Sequence, residues 1–201
     1  MTNLYIVRHG QSEANAAGIL QGSLIDTPLS EKGQLQALNV HNHLEKLDLH
    51  FDIVIASPLL RAAQTAQIIA PTKPTIYDSR LKEFDYGDWD GQLSADIHQK
   101  YSIFFDEKKN LLPGSEKISH GETFEAVTTR LNSFLSEVAL KYPHQNILIA
   151  SHGFTIKLLL NAVLGITQLS ALNEPDNAGI TKIELTSNTR TVVYFNRDLT
   201  Q

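Results

Sequence analysis

The chain of 201 residues is 42% hydrophobic and 19% charged, which is typical of a globular domain and excludes a disordered or fibrous chain. It has no cysteine, so disulfides, a thiolate nucleophile and cysteine-ligated metal sites are excluded. There are 17 lysine and arginine residues against 22 aspartate and glutamate residues. The net charge of −5 predicts no broad basic surface for nucleic acid, although a small anionic substrate stays compatible.

Short apolar runs alternate with helical patterns along the chain. The runs lack the polar alternation of half-exposed strands and indicate strands buried on both faces. The first predicted elements are a strand at 4–7, a helix after the N-cap Ser30 with Ala37, Val40, Leu44 and Leu47 on one face, a strand at 52–56 and a helix at 59–70. A helix then begins at 124 and is ended by Pro143, and a strand at 146–150 follows. The last elements are a helix at 154–164, closed by Gly165, and strands at 180–185 and 191–195.

The resulting order is β-loop-α-β-α-β, an irregular region, and then α-β-α-β-β. This alternation predicts an α/β fold, a three-layer α/β/α sandwich with a mostly parallel central sheet. Residues 80–121 fit the alternation least well, and we expect an inserted cap region there, an excursion that covers the active site of a single domain spanning residues 1–201. Nothing in the sequence indicates an oligomeric state.

The sequence shows no sign of membrane attachment or export. No basic residues precede the first apolar run, which ends at Arg8 after four residues. The longest apolar stretch, 154–164, contains Lys157 and other polar residues and is too short to span a bilayer. We therefore expect a soluble, cytoplasmic protein that binds neither membrane nor nucleic acid.

Three predicted strands are followed by residues suited to phosphate chemistry. Arg8 and His9 follow the first strand, Arg61 comes shortly after the second, and His152 follows the strand at 146–150. Ligands of such sheets bind at the carboxyl ends of the strands, so we expect these four side chains to lie together. Guanidinium groups match a tetrahedral oxyanion, and a neutral imidazole can attack phosphorus. A glycine after each histidine is expected to let a ligand approach the backbone.

Residues 4–12, with Asn15 after them, resemble the signature of the histidine phosphatase superfamily, which has the phosphoglycerate-mutase-like fold. Many members have glutamate where this chain has Gln11, a difference that leaves the nucleophile unaffected. The resemblance continues in order over nearly the whole chain through Gln21-Gly22, Asp26, Pro28-Leu29-Ser30, Gly33, Gln36-Ala37, Ser57-Pro58-Leu59, Arg61-Ala62, Gln64-Thr65-Ala66, Leu81, Glu83, Tyr86-Gly87, Trp89, Gly91, Gly121-Glu122-Thr123, Ser151-His152-Gly153 and Asn177-Ala178.

The resemblance implies a role for each matched site residue. His9 is similar to the nucleophile that becomes a phosphohistidine, and Arg8, Arg61 and His152 match the groups that hold the phosphoryl oxygens. Glu83 matches the general acid and base, a role that suits chemistry in which a poor alkoxide leaving group needs a proton. The residues expected to bind the substrate are Arg8, Asn15, Gln21, Gly22, Arg61, Glu83, His152 and Gly153.

The implied activity is that of a metal-independent, histidine acid-type phosphatase that hydrolyses a small phosphorylated substrate without a cofactor. One alternative is a 2,3-bisphosphoglycerate-dependent phosphoglycerate mutase. Such mutases carry a longer insertion with paired arginines for the substrate carboxylate, whereas residues 84–121 contain no arginine, only Lys100, Lys108, Lys109 and Lys117. Hydrolysis is therefore favoured over transfer.

Two further alternatives come from other classes of protein. A noncatalytic phosphate-binding module of the same fold would usually lack the nucleophile or the acid, and this chain has both. A metal enzyme is disfavoured because His41 and His43 point to different faces of their helix and no His-Glu-x-x-His pattern occurs. The sequence leaves the leaving group open, because Tyr101, Phe104 and Phe105 could recognise it or could simply pack.

Overall fold

A computed structural model describes residues 1–199, and residues 200 and 201 of the predicted 1–201 domain lie outside the described residues. Its strands are β1 (Thr2–Arg8), β2 (Ile53–Ala56), β3 (Thr75–Tyr77), β4 (Asn146–Ser151), β5 (Ile180–Leu185) and β6 (Arg190–Arg197). They form one sheet in the order β3-β2-β4-β1-β5-β6. Strands β1 to β4 are parallel, and β5 runs antiparallel to both β1 and β6. The predicted α/β class and mostly parallel sheet are therefore confirmed.

Helices cover both faces of this sheet. The α-helices are α1 (Glu13–Ala16), α2 (Glu31–Lys46), α3 (Leu60–Ile69), α4 (Ser94–Lys100), α5 (Glu116–Ser119), α6 (Phe124–Lys141) and α7 (Gly153–Leu164). The Ser30 hydroxyl caps α2 by accepting the Gly33 N–H at 3.2 Å, and α7 ends at Gly165, whose φ of 61° is left-handed. No helix within residues 1–199 is long and apolar enough to cross a membrane.

The two helical layers follow from alternation along the strands. Successive side chains of a strand point to opposite faces, so Leu4 and Ile6 pack in the cluster with α6 and α7. Tyr5 and Val7 pack in the other cluster, with α2 and α3. All four positions are buried, which explains why the run shows no polar alternation.

Three features differ from or add to the predicted elements. Leu47 lies just beyond the end of α2 and is exposed, because the chain leaves the helix before that residue can reach the core. Strand β3 is the third strand of the predicted order, which no apolar run had marked. Helices α4 and α5 lie in the region expected to be irregular, where Phe84 and Trp89 are buried in the cluster that contains α6 and α7.

Candidate active site

The sheet register brings the predicted site residues together. Arg8, the last residue of β1, pairs with Ser151, the last residue of β4, so the histidines that follow each strand lie side by side. The ring centroids of His9 and His152 are 5.1 Å apart. Arg61, in the first turn of α3 after β2, has its Nε 3.3 Å from Nε2 of His9. All four predicted side chains therefore belong to one cluster at the carboxyl ends of three parallel strands.

His9 is held in one tautomer and in its neutral form. Its Nδ1 donates a proton to the carbonyl oxygen of Gly10 at 2.7 Å, which leaves the lone pair on Nε2. Burial lowers the pKa of His9 well below its ordinary value of 6.5, and the positive charges of Arg61 and Arg8 lower it further. The imidazole is therefore uncharged at neutral pH.

Arg61 is fully buried, and its guanidinium is fixed on three sides. Nη1 donates to the carbonyl of Ile25 at 3.1 Å and Nη2 to that of Gly22 at 3.0 Å, while Nε points at His9. Behind it, the Thr65 hydroxyl donates to the Arg61 carbonyl at 2.7 Å and accepts the Gly10 N–H at 3.1 Å. A fixed guanidinium beside this imidazole can stabilise charge that develops on a phosphoryl group.

Arg8 is supported by the loop that precedes β5. Its Nη1 donates to the carbonyl of Pro175 at 2.6 Å and lies 3.5 Å from the carboxylate of Glu174. The Asn177 amide in the same loop donates to the His9 carbonyl at 3.0 Å. Nε of Arg8 is buried and has no hydrogen-bond partner within residues 1–199. A buried donor without a partner costs stability. Such an unpaired donor is typical of a group that forms its hydrogen bond with a ligand.

His152 also has a buried ring nitrogen without a hydrogen-bond partner within residues 1–199. Its Nε2 is 2.8 Å from the Ser57 hydroxyl, which accepts the Leu59 N–H at 3.3 Å and can donate its own proton to the ring. When the hydroxyl donates this proton to Nε2, Nδ1 is the protonated nitrogen of the neutral ring. Nδ1 is buried without a partner in the described part of the chain. Burial, and then Arg61 and His9, hold the pKa of His152 well below 6.5.

The Glu83 carboxyl lies against the first turn of α7. One oxygen accepts the N–H of Phe84 at 2.9 Å and, from Thr155, the N–H at 2.9 Å and the hydroxyl at 3.0 Å. The other accepts the Phe154 N–H at 3.3 Å. Burial raises the pKa of Glu83 above its ordinary value of 4.5, and the nearby charge of Glu174 raises it further. Glu83 therefore keeps a proton at higher pH than an exposed glutamate.

The predicted substrate ligands Gln21 and Gly22 use their polar groups within the protein. The Gln21 amide accepts from the Ser12 hydroxyl at 2.6 Å and donates to the Thr27 hydroxyl at 2.8 Å. The Gly22 N–H donates to Asp90 at 2.6 Å, and its carbonyl receives Arg61. Both residues thus support the loop around Arg61, and their binding of substrate stays a prediction.

Asn15, the other predicted ligand outside the cluster, caps α1. Its side-chain oxygen accepts the Ser12 N–H at 3.3 Å, while the Ser12 hydroxyl accepts the Asn15 N–H at 3.1 Å. This reciprocal pair fixes the turn that follows His9. Contact between Asn15 and a substrate likewise stays a prediction.

The two glycines that follow the histidines are required for packing within the protein. A Cβ at Gly10 would overlap the carbonyl oxygen of Gly33, at the start of α2. A Cβ at Gly153 would overlap the Glu174 carboxylate and lie 2.9 Å from Cζ of Arg8. Both glycines therefore allow close packing of protein groups, and the approach of a ligand to their backbone stays a prediction.

Sequence reasoning missed three residues of this region. Asp90 holds the loop at Gly22 and Leu24, Glu174 contacts Arg8, and Lys157 is fully buried on α7. A single lysine within the apolar run 154–164 was a signal that could have marked Lys157. No local pattern marks Glu174, since it meets Arg8 only after the chain has folded.

The aromatic residues of the 80–121 region pack around one tryptophan. Tyr101 stacks on Trp89 with ring centroids 4.7 Å apart, and Phe104 and Phe105 lie 5.9 and 6.0 Å from it. All three rings therefore pack on Trp89, and contact between these rings and a leaving group stays open.

Comparison with known proteins gives matches over nearly the whole chain. The profile of the histidine phosphatase superfamily (branch 1) matches residues 4–198. Phosphoserine phosphatase 1 of Hydrogenobacter thermophilus is 34% identical over 168 residues, covering 83% of this chain and 78% of that protein. The adenosylcobalamin/alpha-ribazole phosphatase of Escherichia coli is 31% identical over 169 residues, covering 81% and 79%. The structure of phosphoserine phosphatase from Entamoeba histolytica in complex with 3-phosphoglyceric acid matches with a TM-score of 0.80 and 26% identity, covering 98% of this chain and 97% of that one.

Proposed function

The chain belongs to branch 1 of the histidine phosphatase superfamily and is a phosphatase of that family, and from this premise we propose that it hydrolyses phosphate monoesters through a phosphohistidine on His9. Glu83 serves as the proton donor and later as the proton acceptor. Arg8, Arg61 and His152 hold the phosphoryl oxygens. No metal or cofactor takes part in either step.

In the first step Nε2 of His9 attacks phosphorus and the bond between phosphorus and the ester oxygen breaks. The departing alkoxide takes the proton of Glu83, which the raised pKa of this carboxyl makes available. Negative charge on the phosphoryl oxygens is stabilised by the guanidinium groups and by the protonated Nδ1 of His152. The alcohol leaves, and the phosphoryl group is bonded to His9.

In the second step water attacks the phosphohistidine. The Glu83 carboxylate accepts a proton from this water, the bond between phosphorus and Nε2 breaks, and inorganic phosphate is released. Neutral His9 and protonated Glu83 are thereby restored. Because the cycle starts with a protonated carboxyl, we expect activity on the acidic side of neutrality, as for a histidine acid-type phosphatase.

The hydrogen bonding of His9 is the main support for its role as nucleophile. The hydrogen bond from Nδ1 of His9 to the Gly10 carbonyl directs the lone pair of a neutral imidazole to Nε2, beside a guanidinium. A histidine with only a structural role needs no arginines beside it. Here the charges of Arg61 and Arg8, together with burial, lower the pKa of His9 and so oppose its protonation.

Hydrolysis is favoured over transfer to phosphoglycerate. The lysines of the 84–121 segment, which are its only strongly basic residues, are exposed: Lys100, Lys108, Lys109 and Lys117. The segment contains no arginine, whereas phosphoglycerate mutases of this type use paired arginines there to bind the substrate carboxylate. By similarity to the named relatives, phosphoserine and alpha-ribazole phosphate are the first substrates to test.

The test is single-turnover labelling with a phosphorus-labelled ester in wild type and His9→Ala. We expect acid-labile, base-stable label on wild type and none on the variant, with phosphate release abolished. His41→Ala is the matched control, because His41 also bonds a backbone carbonyl, that of Ile69 at 2.9 Å, but lies away from the cluster. Label that persists in His9→Ala on another residue would overturn the assignment.

A further inference from the structure

Lys157 is a buried cation that the proposed reaction does not use. Its side chain has no exposure to solvent, and its Nζ donates a hydrogen bond to the side-chain oxygen of Asn110 at 2.7 Å. No carboxylate oxygen within residues 1–199 lies within 4.0 Å of Nζ, the distance that defines an ion pair. An ammonium with three donors is costly to bury with one neutral partner, because each lost contact with water is left uncompensated.

The helix geometry directs this cation towards the catalytic cluster. Lys157 is one turn after Gly153, so both residues share a face of α7, and long side chains of a helix lean towards its N-terminus. At Gly153 that face meets Arg8 and Glu174. Nζ also lies 5.9 Å from the ring of Phe154, whose backbone N–H bonds Glu83.

The opposite side of the ammonium is closed by a turn. Both oxygens of Asp106 accept from the Asn110 amide, at 3.2 and 2.9 Å, and this amide offers its oxygen to Lys157. Lys108 and Lys109 in the same turn are exposed. Burial lowers the pKa of Lys157, whereas the charges of Glu174 and Asp106 oppose this effect, so both acidic side chains act on it from a distance.

We propose that Lys157 binds a carboxylate on the leaving group, so that the preferred substrates are phosphate esters of hydroxy acids or hydroxy amino acids. The proposal rests on the proposed hydrolysis at His9. A carboxylate oxygen joins or replaces the Asn110 oxygen at Nζ, which provides the charged partner that the ammonium lacks. The 106–110 turn has to shift slightly to admit it.

Substrates that differ only in the carboxylate separate this role from others. Phosphoserine and phosphoethanolamine carry the same phosphate and ammonium groups, and only phosphoserine has the carboxylate. A charge-assisted contact of this kind corresponds to a preference of about 10- to 100-fold in kcat/KM. p-Nitrophenyl phosphate, which has no carboxylate, reports the chemistry at His9 alone.

The experiment measures kcat and KM for the three esters in wild type, Lys157→Met and Lys157→Arg, with Lys182→Met as the matched control. Lys182 is also a largely buried lysine, but it pairs with Glu184 on β5. We expect Lys157→Met to lose the preference for phosphoserine through KM, with little change for the other two esters. Lys157→Arg should keep part of the preference, and Lys182→Met all of it.

Three outcomes would overturn the assignment. Wild type could treat phosphoserine and phosphoethanolamine equally, or Lys157→Met could slow all three esters alike, which would mark a purely structural lysine. Absence of hydrolysis of every ester by wild type would overturn the proposed function as well. If Lys157→Met does not fold, the test uses wild type and two inhibitors, a phosphonate analogue of phosphoserine and the same analogue without its carboxylate. Stronger inhibition by the analogue with the carboxylate supports the proposal, and equal inhibition refutes it.

Discussion

Replacing Glu83 with glutamine removes the proton donor while keeping most of its surroundings. The amide oxygen can still accept from Phe84 and Thr155, and the contact that is lost is the 3.3 Å bond from the Phe154 N–H. We expect a loss of about 1 kcal/mol of stability from that bond, so the variant folds. For esters with basic alkoxide leaving groups, turnover should fall about 10²- to 10⁴-fold, the usual share of general acid–base catalysis.

The effect should depend on the leaving group. Nitrophenolate is stable as an anion, so transfer of the phosphoryl group from p-nitrophenyl phosphate to His9 needs little help from an acid. Breakdown of the phosphohistidine still needs a base for the water. Stopped-flow measurement on Glu83→Gln should therefore show a burst of nitrophenol equal to the enzyme concentration, followed by slow turnover, with phosphoenzyme trapped by rapid quench.

Glu122→Gln provides a matched control. Glu122 is a neighbouring carboxylate that accepts from Arg130 at 3.0 Å and from the Asp85 N–H at 3.0 Å, and it does not contact the His9 cluster. It should show neither the burst nor the dependence on leaving group. Equal slowing of both ester types by Glu83→Gln without a burst would refute the role of Glu83 and assign the proton to another group, with His152 the first to examine.

Three other predictions follow from the site. Activity should survive exhaustive EDTA treatment and be inhibited by vanadate, because Arg8 and Arg61 already supply positive charge; loss of activity that zinc or magnesium restores would contradict this. The free energy of unfolding should fall as pH drops below 6.5, by up to about 1.4 kcal/mol per pH unit for each of His9 and His152. The reason is that the pKa of each histidine is lowered in the folded protein, so the unfolded chain binds these protons first. Urea titrations at several pH values test this, and His9→Ala should halve the dependence of the unfolding free energy on pH. Gly153→Ala should raise KM and lower kcat/KM about 10- to 100-fold, an effect of about 1.4 to 2.7 kcal/mol, because the added Cβ displaces Arg8. Unchanged kinetics would show that the position of Arg8 does not depend on the absence of a side chain at Gly153.

The long elements and most residues of the candidate site could be predicted from local patterns. Helices α2, α3, α6 and α7 show a clear helical period or a closing glycine or proline, and β1, β2 and β4 are apolar runs. The residues after these strands follow from the same reasoning, because parallel strands deliver their carboxyl ends to one edge. The predicted order contains a third strand, but the residues of β3 and the existence of α4 do not follow from local patterns, since three half-exposed residues and seven mostly exposed ones carry little periodicity.

The sequence by itself therefore determined the fold class, the family, and the set of histidines, arginines and the glutamate for which we propose a role in phosphate chemistry. Only the tertiary structure decided which groups hold these side chains. Glu174 is 166 positions from Arg8 and Asp90 is 68 positions from Gly22, yet each pair is in contact. Local periodicity reports which face of an element is buried. It carries no information about which polar group from a distant segment meets it there, because that depends on how the segments pack.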